Sequence, residues 1–70
     1  MKSIHRMRSV CHMTQYQLAL QLGVDRSTVA KWEIGKSKPL ADKLVKIAKI
    51  LNCTVDELLR EDGDADGTGN

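Results

Sequence analysis

The stretch Asp25–Gly35, DRSTVAKWEIG, decides how the chain is read. It has the form of a short helix: an N-capping residue, Asp25, stands in front, and a glycine stands behind. Val29 and Trp32 share one face, while Arg26, Ser27 and Lys31 look away from it. A helix this short does not hold itself together in water, so its apolar side must rest on other elements. Asp25 is expected to satisfy free backbone donors with its carboxylate and to favour the positive helix end. The other side, with an arginine, a serine and a lysine, is then presented to solvent.

Working outward, Thr14 with Gln17 forms a capping box that opens a helix near Gln15. Its inner face is Leu18, Ala19 and Leu22, and Gly23 ends it as a left-handed residue. Val24 is a buried link in a very tight turn between these two helices. Before them, Ile4, Met7, Arg8 and Cys11 recur at helical spacing and predict a first helix over about residues 2–12. After them comes the loop KSKPL, in which Pro39 stiffens the entry to a fourth helix. In ADKLVKIAKILN, Leu44, Ile47, Ala48 and Leu51 make one stripe, opposed by Lys43, Lys46 and Lys49. Asn52 is read as a left-handed stop. Thr54 with Glu57 is a second capping box, opening a short fifth helix with Val55, Leu58 and Leu59. Nothing alternates with a period of two, and there are no repeats. The fold class is all-α: about five short helices on one core, joined by tight loops.

A chain of 70 residues makes one small domain with a modest core, which argues against a large enzyme-style cleft. The charge is uneven. Eleven Lys and Arg face nine Asp and Glu, but Glu61, Asp62, Asp64 and Asp66 all lie in the last ten residues. Residues 1–60 therefore carry eleven basic groups against five acidic ones, a net of +6. A basic body with an acidic tail points to a polyanionic partner. The domain is placed at residues 1–60, and residues 61–70 are expected to be a disordered acidic tail. No apolar run is long enough to span a membrane and no signal-peptide pattern is present, so the protein is read as cytoplasmic.

Cys11 and Cys53 sit far apart and form no close ligand pair. They are read as two small buried hydrophobes in a reducing compartment. A disulfide, or a metal site with His5 or His12, is the sharper alternative, and no metal or other cofactor is assigned. DGDADG, Asp62–Gly67, matches the opening of an EF-hand calcium loop, but the chain ends at Asn70, before the twelfth-position glutamate and the following helix.

The second helix, the glycine turn and the third helix form a helix-turn-helix. The run MTQYQLALQLGVDRSTVAKWEIGKSKP, continued by LVKIAKILNCTVDELL, resembles the Cro/phage-repressor (XRE-type) helix-turn-helix DNA-binding domain. The likeness covers nearly all of residues 4–59 and rests on the joint pattern T-Q, L-A, L-G-V, S-T, W-E-x-G, a proline, L-x-K-I-A and T-V-D-E-L-L. It implies a lambda-repressor-like fold whose third helix, about Asp25–Glu33, lies in the major groove of double-stranded DNA.

Carried onto this chain, the base-contacting positions are Arg26, Ser27 and Lys31. Their chemistry agrees: arginine forks to guanine, lysine donates to guanine acceptors, and serine serves several bases. Thr28 is an apolar or phosphate contact. Gln15 matches the glutamine that meets a phosphate and braces a side chain of the recognition helix. The backbone amides around it offer an anion site. Tyr16 is exposed by the pattern and within reach of a phosphate. Lys36, Ser37 and Lys38 match a loop that lies along the sugar–phosphate backbone, where contacts position the protein without reading sequence. Arg8 and Glu33 match positions that form a largely buried ion pair, and Trp32 is assigned to core packing. The family often has glycine where this chain has His12, so the turn there is expected to differ. Leu20 and Ile34 are apolar where the pattern predicts exposure. They are either ordinary surface residues or, with Leu40 or Leu59, part of a dimer contact.

The resemblance implies a sequence-specific transcription regulator, Cro- or repressor-like, in the cytoplasm of a bacterial or phage-infected cell and associated with the nucleoid. Two protomers would sit on a pseudo-palindromic operator with their recognition helices about 34 Å apart. The alternative is a protein-interaction module sharing the same domain, such as an antitoxin. A toxin-binding segment would then lie outside residues 4–59, where the tail carries almost no apolar anchors. No ligand pocket is expected, hence no small-molecule ligand. Cys11 and His12 are sequence neighbours on one helix and do not face each other, so an enzyme has little support.

Overall fold

The computed structural model describes residues 1–60; the acidic tail and the DGDADG segment lie outside the described residues. Five helices follow one another: α1 (Lys2–Val10), α2 (Gln15–Leu22), α3 (Arg26–Ile34), α4 (Ala41–Ile50) and α5 (Val55–Leu59). No strand occurs among the described residues, and the all-α reading stands.

Two starts are built by side chains. The Thr14 hydroxyl accepts from Gln17 N at 3.0 Å while Gln17 Oε1 accepts from Thr14 N at 2.8 Å. Thr54 and Glu57 repeat the arrangement at 3.0 and 2.8 Å ahead of α5. Each box satisfies two backbone donors that a helix start leaves orphaned. Asp25 differs from its expected role. It holds the N-cap position of α3 with extended backbone, but its side chain accepts no capping hydrogen bond. The exposed carboxylate acts on the helix only through its charge.

The four turns that close α1 to α4 share one device. After each helix a single residue turns left-handed: His12 (φ 55°), Gly23 (74°), Gly35 (84°) and Asn52 (57°). The next residue's amide returns to the carbonyl five back: Met13 to Arg8 at 3.0 Å, Val24 to Ala19 at 3.0 Å, Lys36 to Lys31 at 2.9 Å and Cys53 to Ala48 at 2.9 Å. These are Schellman closures, which need a residue able to enter the left-handed region. The turn at His12 therefore does not differ, as the missing glycine led one to expect. α1 ends at Val10 rather than near residue 12, because Cys11 and His12 are spent on the closure. Histidine accepts the conformation at the steric cost of its Cβ.

The tight turns fold the helices onto one core of Ile4, Leu18, Ala19, Leu22, Val29, Trp32, Ile47, Ala48, Leu51 and Leu58. α3 packs against α2 and α1, α4 against α2, and α5 closes the body by touching α4 and α1. Trp32 is buried, as is Pro39 in the loop before α4, and Val24 is half-buried against the core. Ser3, which hydropathy does not mark, is fully buried and donates its hydroxyl to the Leu58 carbonyl, tying α1 to α5.

One ion pair locks α3 to α1. Arg8 Nε donates to Glu33 Oε2 at 2.7 Å and Arg8 Nη2 to Glu33 Oε1 at 3.1 Å. The side chains are 12% and 6% exposed. The guanidinium also donates through Nη1 to the Met13 carbonyl at 2.8 Å, so one side chain holds the end of α3 and the turn before α2. Burial pushes the Glu33 carboxyl up, but hydrogen bonds from Arg8 and Gln15 and the charges of Arg8 and His5 outweigh it. Its pKa lies below the ordinary 4.5.

Replacing Glu33 by alanine strands a buried guanidinium and is expected to cost about 3–5 kcal/mol in denaturant unfolding; a variant that unfolds like wild type would refute the anchoring role. Because the folded pKa of Glu33 is depressed, its contribution is complete above the unfolded value and is lost as pH falls through the folded one. Unfolding free energies followed into acid should therefore drop in wild type and fall less steeply in Glu33→Gln. Substitution of His12 by glycine removes a Cβ from the left-handed region and should stabilise the fold by about 1 kcal/mol, read as a higher denaturant midpoint with an unchanged slope.

Candidate nucleic-acid interface

With Val29 and Trp32 in the core, the rest of α3 faces outward. Arg26, Ser27 and Lys31 are all exposed. Ser27 and Lys31 stand four residues apart on one face, and Ile34, 72% exposed, continues that stripe by a turn. Thr28 is half-buried at the edge of the face. Lys36, Ser37 and Lys38 are exposed directly beyond the helix, where the closure at Gly35 turns the chain. Tyr16 and Leu20 of α2 are exposed as well. Four cations, Arg26, Lys31, Lys36 and Lys38, thus lie along α3 and the loop that leaves it.

Arg26 is not simply splayed into solvent. Its Nη1 donates to Gln15 Oε1 at 2.9 Å, and Gln15 Nε2 donates to Glu33 Oε1 at 2.9 Å. A continuous path of polar side chains therefore runs from Arg8 on α1, through Glu33 at the end of α3 and Gln15 at the start of α2, to Arg26 at the start of α3. Gln15 is half-buried, so this path begins inside the protein and ends on its surface. Arg26 spends one of its five N–H donors on Gln15 and keeps the others.

His5 belongs to the same network, which the sequence reading missed. Its Nδ1 lies 3.0 Å from Arg8 Nη2 and 3.5 Å from Glu33 Oε1. A usable signal was present: His5 and Arg8 are three residues apart and share a face of α1.

The cysteines correct one expectation. Both are free thiols, but Cys11 is exposed rather than buried, because it lies in the turn that ends α1; Cys53 is half-buried. The Cys11 thiol donates to the Leu51 carbonyl at 3.3 Å. Burial, helped by Glu57 and Cys11, pushes the Cys53 thiol up, away from the thiolate a nucleophile or metal ligand needs. Among the described residues, no three of His, Cys, Asp and Glu come together to hold a metal ion. No helix there is long and apolar enough to cross a membrane. Where the sequence led to no expected pocket, an open groove of about 700 Å³ runs between α1 and the end of α3, lined by Lys2, His5, Val10 and Ile34 among others. It exists because Val10 and Ile34 both stay outside the core.

The geometry is a two-helix unit with a tight glycine turn, a core-anchored second helix and a basic outward face. Comparison with known proteins agrees with it. The family model described as helix-turn-helix matches residues 11–58. The chain is 41% identical over 58 residues to the HTH-type transcriptional activator BcrR of Enterococcus faecalis, covering 83% of this chain and 28% of that protein. It is 37% identical over 51 residues to the cryptic phage CTXphi transcriptional repressor RstR of Vibrio cholerae, covering 73% of this chain and 46% of that protein. An uncharacterized HTH-type transcriptional regulator of Archaeoglobus fulgidus is 36% identical over 55 residues, with 79% of each chain covered. The matched region is thus under half the length of the first two relatives, and no solved structure matches at the same stringency. The T-Q start of α2, the L-G-V turn and the W-E-x-G end of α3 all lie inside the matched span, and the chain belongs to the XRE-type helix-turn-helix family of DNA-binding domains.

Proposed function

We propose that this chain regulates transcription by reading a specific sequence in double-stranded DNA with α3. The observation that carries the reading is the division of α3: Val29 and Trp32 sit in the core, and Arg26, Ser27 and Lys31 stand exposed on the same helix. A helix of about 10–12 Å diameter fits the B-DNA major groove. Arg26 and Lys31 then donate to guanine acceptors, Ser27 exchanges hydrogen bonds with a neighbouring base, and Thr28 meets a methyl group or a phosphate. Gln15, Tyr16, Lys36, Ser37 and Lys38 contact the sugar–phosphate backbone, which makes affinity salt-dependent without specifying sequence.

The protein acts as a homodimer on a pseudo-palindromic operator, with the two copies of α3 about 34 Å apart. Leu20 or Ile34, with Leu40 or Leu59, all exposed, are the apolar residues offered for that contact. Repression follows from occupying a promoter. One relative is named an activator and another a repressor, and the Cro-like, repressing role is the one proposed here. The role is binding rather than catalysis, exercised in the cytoplasm at the nucleoid of a bacterial or phage-infected cell.

Selection of bound duplexes from a random pool tests this reading. Wild type is expected to enrich a two-fold-symmetric site, and the triple variant Arg26→Ala, Ser27→Ala, Lys31→Ala to enrich none. If wild type binds only weakly, without sequence preference and with affinity that fades as salt rises, α3 is not a reading helix and the basic face is a non-specific anchor.

A further inference from the structure

We propose that Glu33 is a positioning residue for base recognition: it sets which way the Gln15 amide points, and through that amide it holds the Arg26 guanidinium in place at the start of α3. The inference rests on the DNA-reading function above and adds a residue that touches no DNA.

An ionised carboxylate only accepts hydrogen bonds, and a guanidinium only donates them. A side chain bridging the two must donate at one end and accept at the other, as the Gln15 amide does. Its Nε2 faces Glu33 Oε1 at 2.9 Å and its Oε1 faces Arg26 Nη1 at 2.9 Å. Turning the amide over would set its oxygen against a carboxylate and its N–H groups against a cation. Both contacts would be repulsive, so the charge on Glu33 determines the polarity of the amide.

Glu33 can impose that polarity because it is itself fixed. The Arg8 fork holds both carboxylate oxygens, and the side chain is 6% exposed. A buried, charge-assisted pair has little freedom to follow Gln15; Gln15 follows it. At the far end the guanidinium is exposed and otherwise rich in rotamers. One hydrogen bond to an oriented acceptor restricts those rotamers before DNA arrives, while the remaining donors stay available for a guanine edge. Ordering a long side chain in advance lowers what binding must order later. A neutral amide at position 33 would still fill the space. It could donate or accept toward Gln15, and the orientation would then rest on the exposed Arg26 alone.

The test uses the full chain, the duplex enriched by wild type in the selection above, and a scrambled duplex of equal length. The readout is the ratio of the two affinities, measured by fluorescence anisotropy, alongside circular dichroism and thermal melting of each variant. Glu33→Gln removes the dictated polarity, and Gln15→Met breaks the same link while leaving the Arg8–Glu33 pair intact. Each is expected to lower the specific-to-scrambled ratio about 3- to 10-fold, the size of one lost hydrogen bond. In an Arg26→Ala background the same substitutions should change that ratio less than about twofold, because the path then ends on nothing. Losses that are equal with and without Arg26, or no loss in the presence of Arg26, would overturn the inference. If Glu33→Gln does not fold, the double variant Arg8→Met, Glu33→Gln, which leaves no buried charge unpaired, takes its place in the same comparison, and Gln15→Met reports the Gln15–Arg26 contact only. A wild type that binds both duplexes equally would overturn the DNA-reading function itself, and the inference with it.

Discussion

The Arg8–Glu33 pair is the contact on which the rest of the arrangement depends. A five-helix domain of this size has few apolar residues with which to specify how its helices cross, and helices of five to ten residues contribute little rigidity of their own. The bidentate pair supplies a directional constraint that hydrophobic contact lacks. It joins the last turn of α1 to the last turn of α3, and the third arm of the same guanidinium reaches the turn that begins the helix-turn-helix. Burial raises the stakes: correctly paired, these charges specify one geometry, and either of them left alone would be strongly destabilising.

From this anchor the fold and the outward face are one construction. Trp32, beside Glu33 in sequence, buries its ring in the core, so apolar packing and ion pairing seat the same turn of α3. The Schellman closure at Gly23 ends α2 just before α3 begins, and the one at Gly35 ends α3 itself. What remains outside is a short row of polar and basic groups on a helix that has little room to rotate. The chemistry of recognition asks for that: base edges are discriminated by hydrogen bonds whose geometry a loosely held helix would blur.

The places where sequence reasoning fell short share a physical cause. A Schellman closure is marked by glycine or asparagine, so three of the four were legible at Gly23, Gly35 and Asn52. The fourth was hidden because His12 enters the same left-handed conformation against its steric preference. That closure consumed Cys11, which explains both the shorter α1 and the exposed thiol. Asp25 occupies the place of a cap without making the hydrogen bond, since residue type marks the position while side-chain rotamer decides the contact. Ser3 was unreadable because its value lies in a carbonyl more than fifty residues away, at Leu58.

The order of residues along the chain specifies a set of short helices, where most of them start and stop, and which residues turn inward. Those properties are local: capping boxes, left-handed stops and helical spacing act within a few residues. The pairing of Arg8 with Glu33 and the exposed set of α3 were legible too, through the family pattern. It takes the packing of α1, α2 and α3 to join His5, Arg8, Glu33, Gln15 and Arg26 into one connected path, and to set which way the Gln15 amide points within it. Hydrogen-bond polarity depends on which donors and acceptors meet in space, and these five side chains meet only when α1, α2 and α3 are packed together.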